Sequence, residues 1–257
     1  MIHETALIHS SAQIHESVSI GPFCVVGESV SIGANCELKS HVVIGGFTRI
    51  GEGNRFFQFA SIGEVCQDLK YAGEETWLEI GDNNTFRESC SVHRGTVQDE
   101  AITSIGSNNL FMVNAHVAHD CRIGSNCVIA NNVGLAGHCK LGDHVIVGGN
   151  SGVHQFTTIG SFAMVGGASA INKDVAAFAL VGGNPAKSYG VNSEGMRRKG
   201  WSDETIKVLK KASFLLRNKT LNTADVLSQL KSDFLPGEPK VSLLIDSIES
   251  SSRGITR

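Results

Sequence analysis

The sequence is poor in several residue types. Its 257 residues include 4 prolines, 2 tryptophans and 2 tyrosines, and aromatic residues make up 6%. Glycine, at 29, is plentiful, so backbone turns matter more than aromatic packing. No run of 18 apolar residues occurs, and no membrane span is expected. The start, Met1-Ile2-His3-Glu4, has neither the basic nor the apolar region of a signal peptide. The seven cysteines are odd in number and lack metal-type spacing, so reduced thiols in a cytoplasmic protein are expected. There is also little net charge, −3, which by itself excludes no partner. That charge is uneven. Residues 1–186 carry 9 Lys/Arg against 17 Asp/Glu (−8), and residues 187–257 carry 13 against 8 (+5). A basic C-terminal part suits an acidic partner or a phosphorylated ligand, and a solvated helical surface explains it equally well. No nucleic-acid partner is expected. The length allows one long domain or two modest ones, and 41% apolar content suffices for a continuous core.

What the sequence has is a repeat. Aliphatic residues recur every six positions from Ile2 through Ile8, Ile14 and Ile20 to Ile62, resume at Ile80, Phe86 and Val92, and run unbroken from Ile105 to Ile171. Four residues after each comes a small residue, and all seven cysteines fall in that phase. Nucleophiles or metal ligands have no reason to share one phase; small buried hydrophobes do. A period of six fits neither a helix nor simple strand alternation. It fits a parallel β-helix, whose short strands join through tight turns and whose coils stack about 4.8 Å apart. The two breaks, at about 64–77 and 94–103, read as insertions looping out of one face, often the binding face of such an array. The first offers an acid and a base in Gln67-Asp68-Leu69-Lys70; its bland reading is a solvated loop.

The repeat fades at Gly182-Gly183-Asn184-Pro185. Ser202 with Asp203 and Glu204 then signals a helix with Ile206, Leu209 and Leu216 on its apolar stripe. Thr223 opens a second helix that Pro236-Gly237-Glu238-Pro239 is expected to stop, and Val241, Leu244, Ile245 and Ile248 mark a third. The expected organisation is a β-helix over 1–186 and a C-terminal helical domain over 187–257, capping its end.

The chain resembles the hexapeptide-repeat family of left-handed β-helices. That resemblance implies the left hand and a triangular coil of 18 residues; the usual rule for parallel crossovers gives the opposite hand. With that coil, His119, Gly137 and Gln155 stack in one column, with Asp120 and His138 beside it and His116 and His154 in neighbouring phases. The segment His116-Val-Ala-His119-Asp120 is the densest cluster of reactive groups in the chain. A histidine beside a carboxylate suits a general base, and a glycine N–H opposite it suits an oxyanion; together they fit deprotonating a hydroxyl for attack on an acyl carbonyl. Zinc is the competing reading, since the fold includes γ-class carbonic anhydrases that hold zinc through histidines. It is disfavoured because His119 stacks on glycine and His138 on aspartate, and no metal or other cofactor is expected.

Five motifs in order, Gln67-Asp-Leu-Lys-Tyr-Ala-Gly73, His93-Arg-Gly-Thr96, Asn114-Ala-His-Val-Ala-His-Asp120, Gly152-Val-His-Gln-Phe156 and Gly190 through Gly200, resemble the UDP-N-acetylglucosamine acyltransferases of lipid A synthesis. The resemblance covers nearly the whole chain. It implies transfer of a 3-hydroxyacyl group from acyl carrier protein to the glucosamine 3-hydroxyl of UDP-N-acetylglucosamine. It implies His119 as general base, Asp120 as its orienting partner and Gly137 as oxyanion donor. It places Asp68 and Lys70 at the sugar or acyl region, and His93, His116, His138, His154 and Gln155 along the cleft. Asn192, Glu194 and Arg198 would hold the nucleotide, and Gly167 would lie near the end of the acyl chain. Lys199 stands where the family often has a second arginine; lysine keeps the charge but not the bidentate geometry. The family is a homotrimer with sites between subunits. Leu110-Phe111-Met112-Val113, apolar through positions expected to point outward, independently suggests a buried contact. The related lipid A N-acyltransferase fits less well, because its uridine-binding domain precedes the repeat and here the repeat starts at Ile2.

Overall fold

Three flat parallel sheets form a left-handed triangular prism. The computed structural model describes residues 1–218 and 220–257. Most strands are two residues long, such as Leu7–Ile8, and each pairs with the strand one coil later: Leu7 with Val25, Gln13 with Ser31, Ser19 with Glu37. The offset is the 18 residues of three hexapeptides. The first sheet runs from Leu7–Ile8 to Ala170–Ile171 and has nine strands; the second runs from Gln13–Ile14 to Thr158–Ile159 and has eight. The third begins at Ser19–Ile20 and ends with Ala179–Gly182 and the antiparallel Lys187–Val191.

The repeat explains the core. The sixth-position aliphatic residues from Ile20 to Ile171 point inward and are buried, as are the small residues four places on. Each large aliphatic side chain taken from water contributes roughly 1.5–3 kcal/mol. Phe56, Phe86 and Phe111 stack in this core with ring centroids 5.0 and 4.6 Å apart. All seven cysteines are buried free thiols. All but Cys66 donate from Sγ to a carbonyl of the next coil, as from Cys36 to Gly51 (3.1 Å) and from Cys121 to Ala136 (3.2 Å). Burial pushes the Cys90 thiol up to about 11 and Cys127 to about 12.

The turns have a feature the repeat did not announce. Non-glycine residues with φ between +53° and +66° occupy the prism edges, including Asn108, Asn114, Asp120, Asn126, Asn132, His138, His144 and Asn150. Asn, Asp and His tolerate this left-handed backbone better than most residues do. Phenylalanines stand at other corners, such as Phe23, Phe47, Phe59 and Phe156, but from Asn108 to Asn150 every corner is Asn, Asp or His.

The insertions are narrower than the sequence suggested. Strands extend through Glu64 and from Trp77, and through His93 and from Ile102, leaving loops at residues 65–76 and 94–101. Register survives both: Ile80 pairs with Ile50 and with Ile105. At the C-terminal end lie helices α1 (Ser193–Arg198), α2 (Asp203–Arg217), α3 (Thr223–Gln229) and α4 (Val241–Glu249). Ser202 caps α2 by accepting the Thr205 N–H at 3.1 Å, and Ile206, Leu209 and Leu216 are buried as the periodicity requires. Helix α3 does not reach Pro236. It passes at Leu230 into a π-helical turn, where the Leu235 N–H donates to Leu230 O. The strand Lys187–Val191 and helix α1 were not foreseen. Phe178, Ala176 and Ala177 join Met196, Leu209, Val226, Leu230, Leu244 and Ile248 in one apolar cluster that seals the prism's end.

Candidate active site

Both insertions leave the prism at one edge, the edge between the first and second sheets. His119 and Asp120 turn the chain at that same edge one coil later. The stacking expected from the 18-residue coil is present. The His138 N–H donates to His119 O and the Phe156 N–H to Gly137 O, both at 3.0 Å. A Cβ on Gly137 would lie 2.6 Å from His119 Cε1 and 2.7 Å from its Nε2, so the imidazole occupies the space a side chain there would need. The Gly137 N–H has no hydrogen-bond acceptor among the described residues.

His119 and Asp120 form the centre of the site. Asp120 Oδ2 lies 2.7 Å from His119 Nδ1. An ionised carboxylate only accepts, so Nδ1 carries the proton and Nε2 is left as the basic atom. The Asp120 carboxylate is 1% exposed and receives two further hydrogen bonds, from Thr96 N–H to Oδ1 (2.8 Å) and from Thr96 Oγ1 to Oδ2 (2.7 Å). Its own N–H donates to Thr103 Oγ1 at 2.8 Å. Burial pushes the carboxyl pKa up, but the hydrogen bonds from His119 and Thr96, with His138 nearby, more than offset this and hold it below the usual range. His138 sits edge-on to His119, 5.1 Å between ring centroids, and flat against Phe156 at 4.4 Å. Its Nδ1 is 3.0 Å from Asp99 Oδ2, and its Nε2 is 3.7 Å from Asp120 Oδ2.

A cleft of about 560 Å³ opens above this pair, lined by Gln67, Asp68, Leu69, His93, His116, Ala118, His119, Gly134, Leu135, Ala136, Gly137 and Gln155. A Cβ on Gly134 would meet nothing within 4 Å, so the floor there is open. His116 Nδ1 is 2.8 Å from Ser91 Oγ. His93 lies 4.9 Å from the His116 ring, and burial, with His116 nearby, lowers its pKa to about 4. Burial, with His119 nearby, lowers that of His116 too. Both are therefore neutral imidazoles near pH 7, suited to hydrogen bonding rather than to holding charge.

Other residues singled out in the sequence lie elsewhere in the chain. Lys70 is exposed on the first insertion, where its N–H donates to Asp68 Oδ1, and it does not line the cleft. His154 is exposed, with Nδ1 3.1 Å from Gln155 O. Gly167 lies at the edge between the third and first sheets, beside Gly149. Asn192 is the N-cap of α1: its Oδ1 accepts the Gly195 N–H and its Nδ2 donates to Phe162 O, both at 3.0 Å. It thus belongs to the edge between the second and third sheets, as do Glu194, Arg198 and Lys199 on or just after the same helix. Glu194 and Arg198 form an exposed i,i+4 pair at 3.2 Å. The anticipated site residues are thus spread over all three edges of one chain.

Three residues that touch the central group were not assigned a role from sequence: Thr96, Asp99 and Thr103. Thr96 ends a motif already noted; Asp99 and Thr103 carry no local signal. His119, Asp120 and His138 also place one donor atom each within 4.8 Å of one another, the spacing a metal site would show. Asp120 Oδ2, however, already accepts from both His119 Nδ1 and Thr96 Oγ1.

Family models match the chain in two parts. Residues 11–46 and 102–137 match the bacterial transferase hexapeptide model of six repeats. Residues 174–256 match the model described as UDP N-acetylglucosamine O-acyltransferase, domain 2. An acyl-[acyl-carrier-protein]--UDP-N-acetylglucosamine O-acyltransferase of Psychrobacter sp. (strain PRwf-1) is 63% identical over 256 residues, covering 100% of this chain and 99% of the relative. One from Aeromonas salmonicida is 56% identical and covers 100% of both. Among solved structures, LpxA from Acinetobacter baumannii superposes with a TM-score of 0.98 at 60% identity, over 100% of this chain and 99% of that one. UDP-N-acetylglucosamine O-acyltransferase from Moraxella catarrhalis RH4 gives 0.97 at 57%, with the same coverage. With relatives this similar along its whole length, the chain belongs to the acyl-[acyl-carrier-protein]--UDP-N-acetylglucosamine O-acyltransferases.

Proposed function

We propose that His119 is the general base of this enzyme, which transfers a 3-hydroxyacyl group from acyl carrier protein to the 3-hydroxyl of UDP-N-acetylglucosamine, the first step of lipid A biosynthesis. The observation that carries the assignment is the His119–Asp120 pair at 2.7 Å, with the imidazole stacked against Gly137, whose N–H has no acceptor among the described residues, beneath an open cleft. His119 Nε2 takes the proton of the sugar hydroxyl as its oxygen attacks the thioester carbonyl. The Gly137 N–H donates to the oxyanion. Asp120 stabilises the imidazolium, and collapse expels the carrier thiolate, which recovers the proton from Nε2. Neutral His93 and His116, with Asp68 and Gln155, hold substrate along the cleft; His138, expected there from the sequence, does not line it and instead backs the reacting pair.

One chain does not complete this site. Asn192, Glu194, Arg198 and Lys199 lie one prism edge away from His119, and Gly167 lies on the third. A homotrimer whose sites fall between subunits brings different edges together, with Arg198 at the diphosphate, Lys199 beside it, Lys70 and His154 closing the cleft, and Gly167 near the end of the acyl chain. Val113, 37% exposed, beside half-buried Leu110 and Met112, supports a covered contact on this surface. Because strand Lys187–Val191 still pairs within the third sheet, we place the domain division after it and not at the 186/187 expected from the sequence, with the C-terminal part supplying the nucleotide contacts and a cationic approach for the acidic carrier protein. Lys207, Lys210 and Lys211 on α2 are all exposed and available for that role. No helix among the described residues is long and apolar enough to cross a membrane, and we assign the enzyme to the cytoplasm.

The test combines product and assembly. Incubation with UDP-N-acetylglucosamine and 3-hydroxyacyl carrier proteins of graded length should yield the 3-O-acyl sugar nucleotide by mass spectrometry, and sedimentation should give a trimer. Mixing His119→Ala with Arg198→Ala chains, unfolded and refolded together, should restore activity above that of either variant alone. No recovery in mixed trimers would refute a site shared between subunits.

A further inference from the structure

The second insertion touches the reacting pair more than any other segment does, yet the proposed chemistry uses none of its side chains. We infer that the loop at residues 94–101 is a positioning clamp, in which Thr96 fixes the Asp120 carboxylate and Asp99 fixes His138. This rests on His119 and Asp120 being the reacting pair.

Thr96 is 1% exposed and donates twice to one carboxylate, N–H to Oδ1 at 2.8 Å and Oγ1–H to Oδ2 at 2.7 Å. Two donors on two oxygens define the carboxylate plane. His119 then meets a fixed lone pair of Oδ2, which sets its ring orientation and keeps the proton on Nδ1. The same loop reaches the second histidine. Asp99 Oδ2 accepts from His138 Nδ1 at 3.0 Å, while Asp99 Oδ1 is held by Arg122 at 3.3 Å and Arg122 is held by Glu100 at 2.7 Å. Asp99 thereby directs His138 Nε2 toward Asp120, with the ring lying flat on Phe156. The loop itself is anchored: the Arg94 N–H donates to Glu64 O, the Gly95 N–H to Trp77 O and the Ala101 N–H to Thr96 O. A Cβ on Gly95 would come 2.2 Å from Ile102 N, so a glycine is needed to seat the clamp this close to the prism.

The groups around the pair are Thr96, Thr103 and His138, with His116, His93 and Asp68 on the cleft side of His119 and Asp99, Arg122 and Glu100 behind. Thr96 is a donor to the pair. Removing its hydroxyl raises the proton affinity of the Asp120–His119 unit, so the acid limb of the rate profile moves to higher pH.

The test uses Thr96→Val, Thr96→Ser, Asp99→Asn and His119→Ala in the full-length enzyme, with kinetics for both substrates across pH. Thr96→Val should lower kcat about tenfold with the KM for UDP-N-acetylglucosamine within twofold, and should move the acid limb up by about half a pH unit. Thr96→Ser should restore both. Asp99→Asn should lower kcat a few-fold while keeping the trimer. Circular dichroism and sedimentation establish that each variant is folded. A normal kcat and pH profile in folded Thr96→Val, with His119→Ala inactive, would overturn the clamp and leave the general-base assignment standing. Near-normal activity in His119→Ala would overturn that assignment itself. If Thr96→Val does not fold, Thr96→Ala, which also lacks the hydroxyl, carries the test with Asp99→Asn, and wild-type kinetics and pH profiles in both would overturn the clamp.

Discussion

Histidines occur in the first coil of the prism and again past its middle, and they are used in opposite ways. In the first coil His3, His9 and His15 are exposed, one at each edge. Each pairs through Nδ1 with a hydroxyl two residues on, Thr5, Ser11 or Ser17, at 2.8–3.0 Å. Those hydroxyls in turn accept the N–H of Phe23, Ser29 and Asn35 one coil later. Around His119 the imidazoles are largely buried and contact one another; His119 pairs with Asp120, His116 with Ser91 of the preceding coil, and His138 with Asp99 of the second insertion. The repeat is the same in both regions. What differs is that two loops emerge at one edge, that the first lines the cleft with Gln67, Asp68 and Leu69, and that the second supplies the Thr96 hydroxyl and the Asp99 carboxylate as partners. A histidine at a corner of this fold bonds its own turn in solvent where no insertion stands over it, and is drawn into a site where one does.

The most direct way to break that contrast is His119→Ala. With the general base gone, kcat should fall about 10²- to 10⁴-fold, while the melting temperature and the trimer persist. Near-normal turnover would place the chemistry elsewhere.

Gly137→Ala should come next. The added Cβ would lie 2.6 Å from His119 Cε1, and the neighbouring backbone is fixed by the His138 and Phe156 N–H bonds. The imidazole must yield, and displacing a catalytic group by about 1 Å costs on the order of 100-fold. The loss should appear in kcat, with the KM for the sugar nucleotide little changed. An unaltered kcat would show that His119 does not need the space over Gly137.

These two predictions rest on features readable in the sequence, because stacking one coil later needs only the repeat and its coil length. Less of the surrounding site was readable. Thr96 meets Asp120 across 24 residues, and Asp99 meets His138 across 39, both by way of a loop whose path no periodicity constrains. The separation of Asn192 and Arg198 from His119 was hidden for the opposite reason. The three edges carry nearly the same six-residue pattern, and only counting coils tells them apart. The positive-φ corners at Asn108, Asn114, Asp120, Asn126, Asn132, His138 and Asn150 had a signal, a polar residue every sixth position, but it was not read as backbone geometry. In the C-terminal part the stripe of α2 was plain, whereas the end of α3 was set by a π turn and not by the proline expected to stop it.

A third, smaller effect separates the two groups of histidines by pH. His93 titrates at about 4 in the folded chain, against an ordinary 6.5, because burial opposes its charge. The unfolded chain therefore takes up the proton first as pH falls. The neutral His93 contributes its full stability above pH 6.5 and loses it progressively between 6.5 and about 4. One such group changes stability by at most about 1.4 kcal/mol per pH unit in that window. His93→Asn should flatten the dependence in urea unfolding measured from pH 7 to 5. An identical slope in variant and wild type would mean that His93 is not held neutral by the fold.

The smallest effect should come from the other end of the prism. His9 Nδ1 lies 2.8 Å from Ser11 Oγ and accepts the Ser11 N–H at 3.2 Å, in solvent. This is a local side-chain turn of the kind that Asn or Asp also makes, and a local bond replaced by water contributes about 0.5–1.5 kcal/mol. His9→Ala should therefore lower stability by about 0.5–1 kcal/mol, and His9→Asn should recover part of it because its side-chain carbonyl accepts the same N–H. Neither change should alter kcat, since residue 9 lies several coils from residue 119 and no insertion joins them. Kinetics alongside urea unfolding would separate the possibilities. A severalfold loss of kcat in folded His9→Ala would mean that the first coil contributes to the site, and the distinction between exposed corner histidines and enclosed histidines would fail.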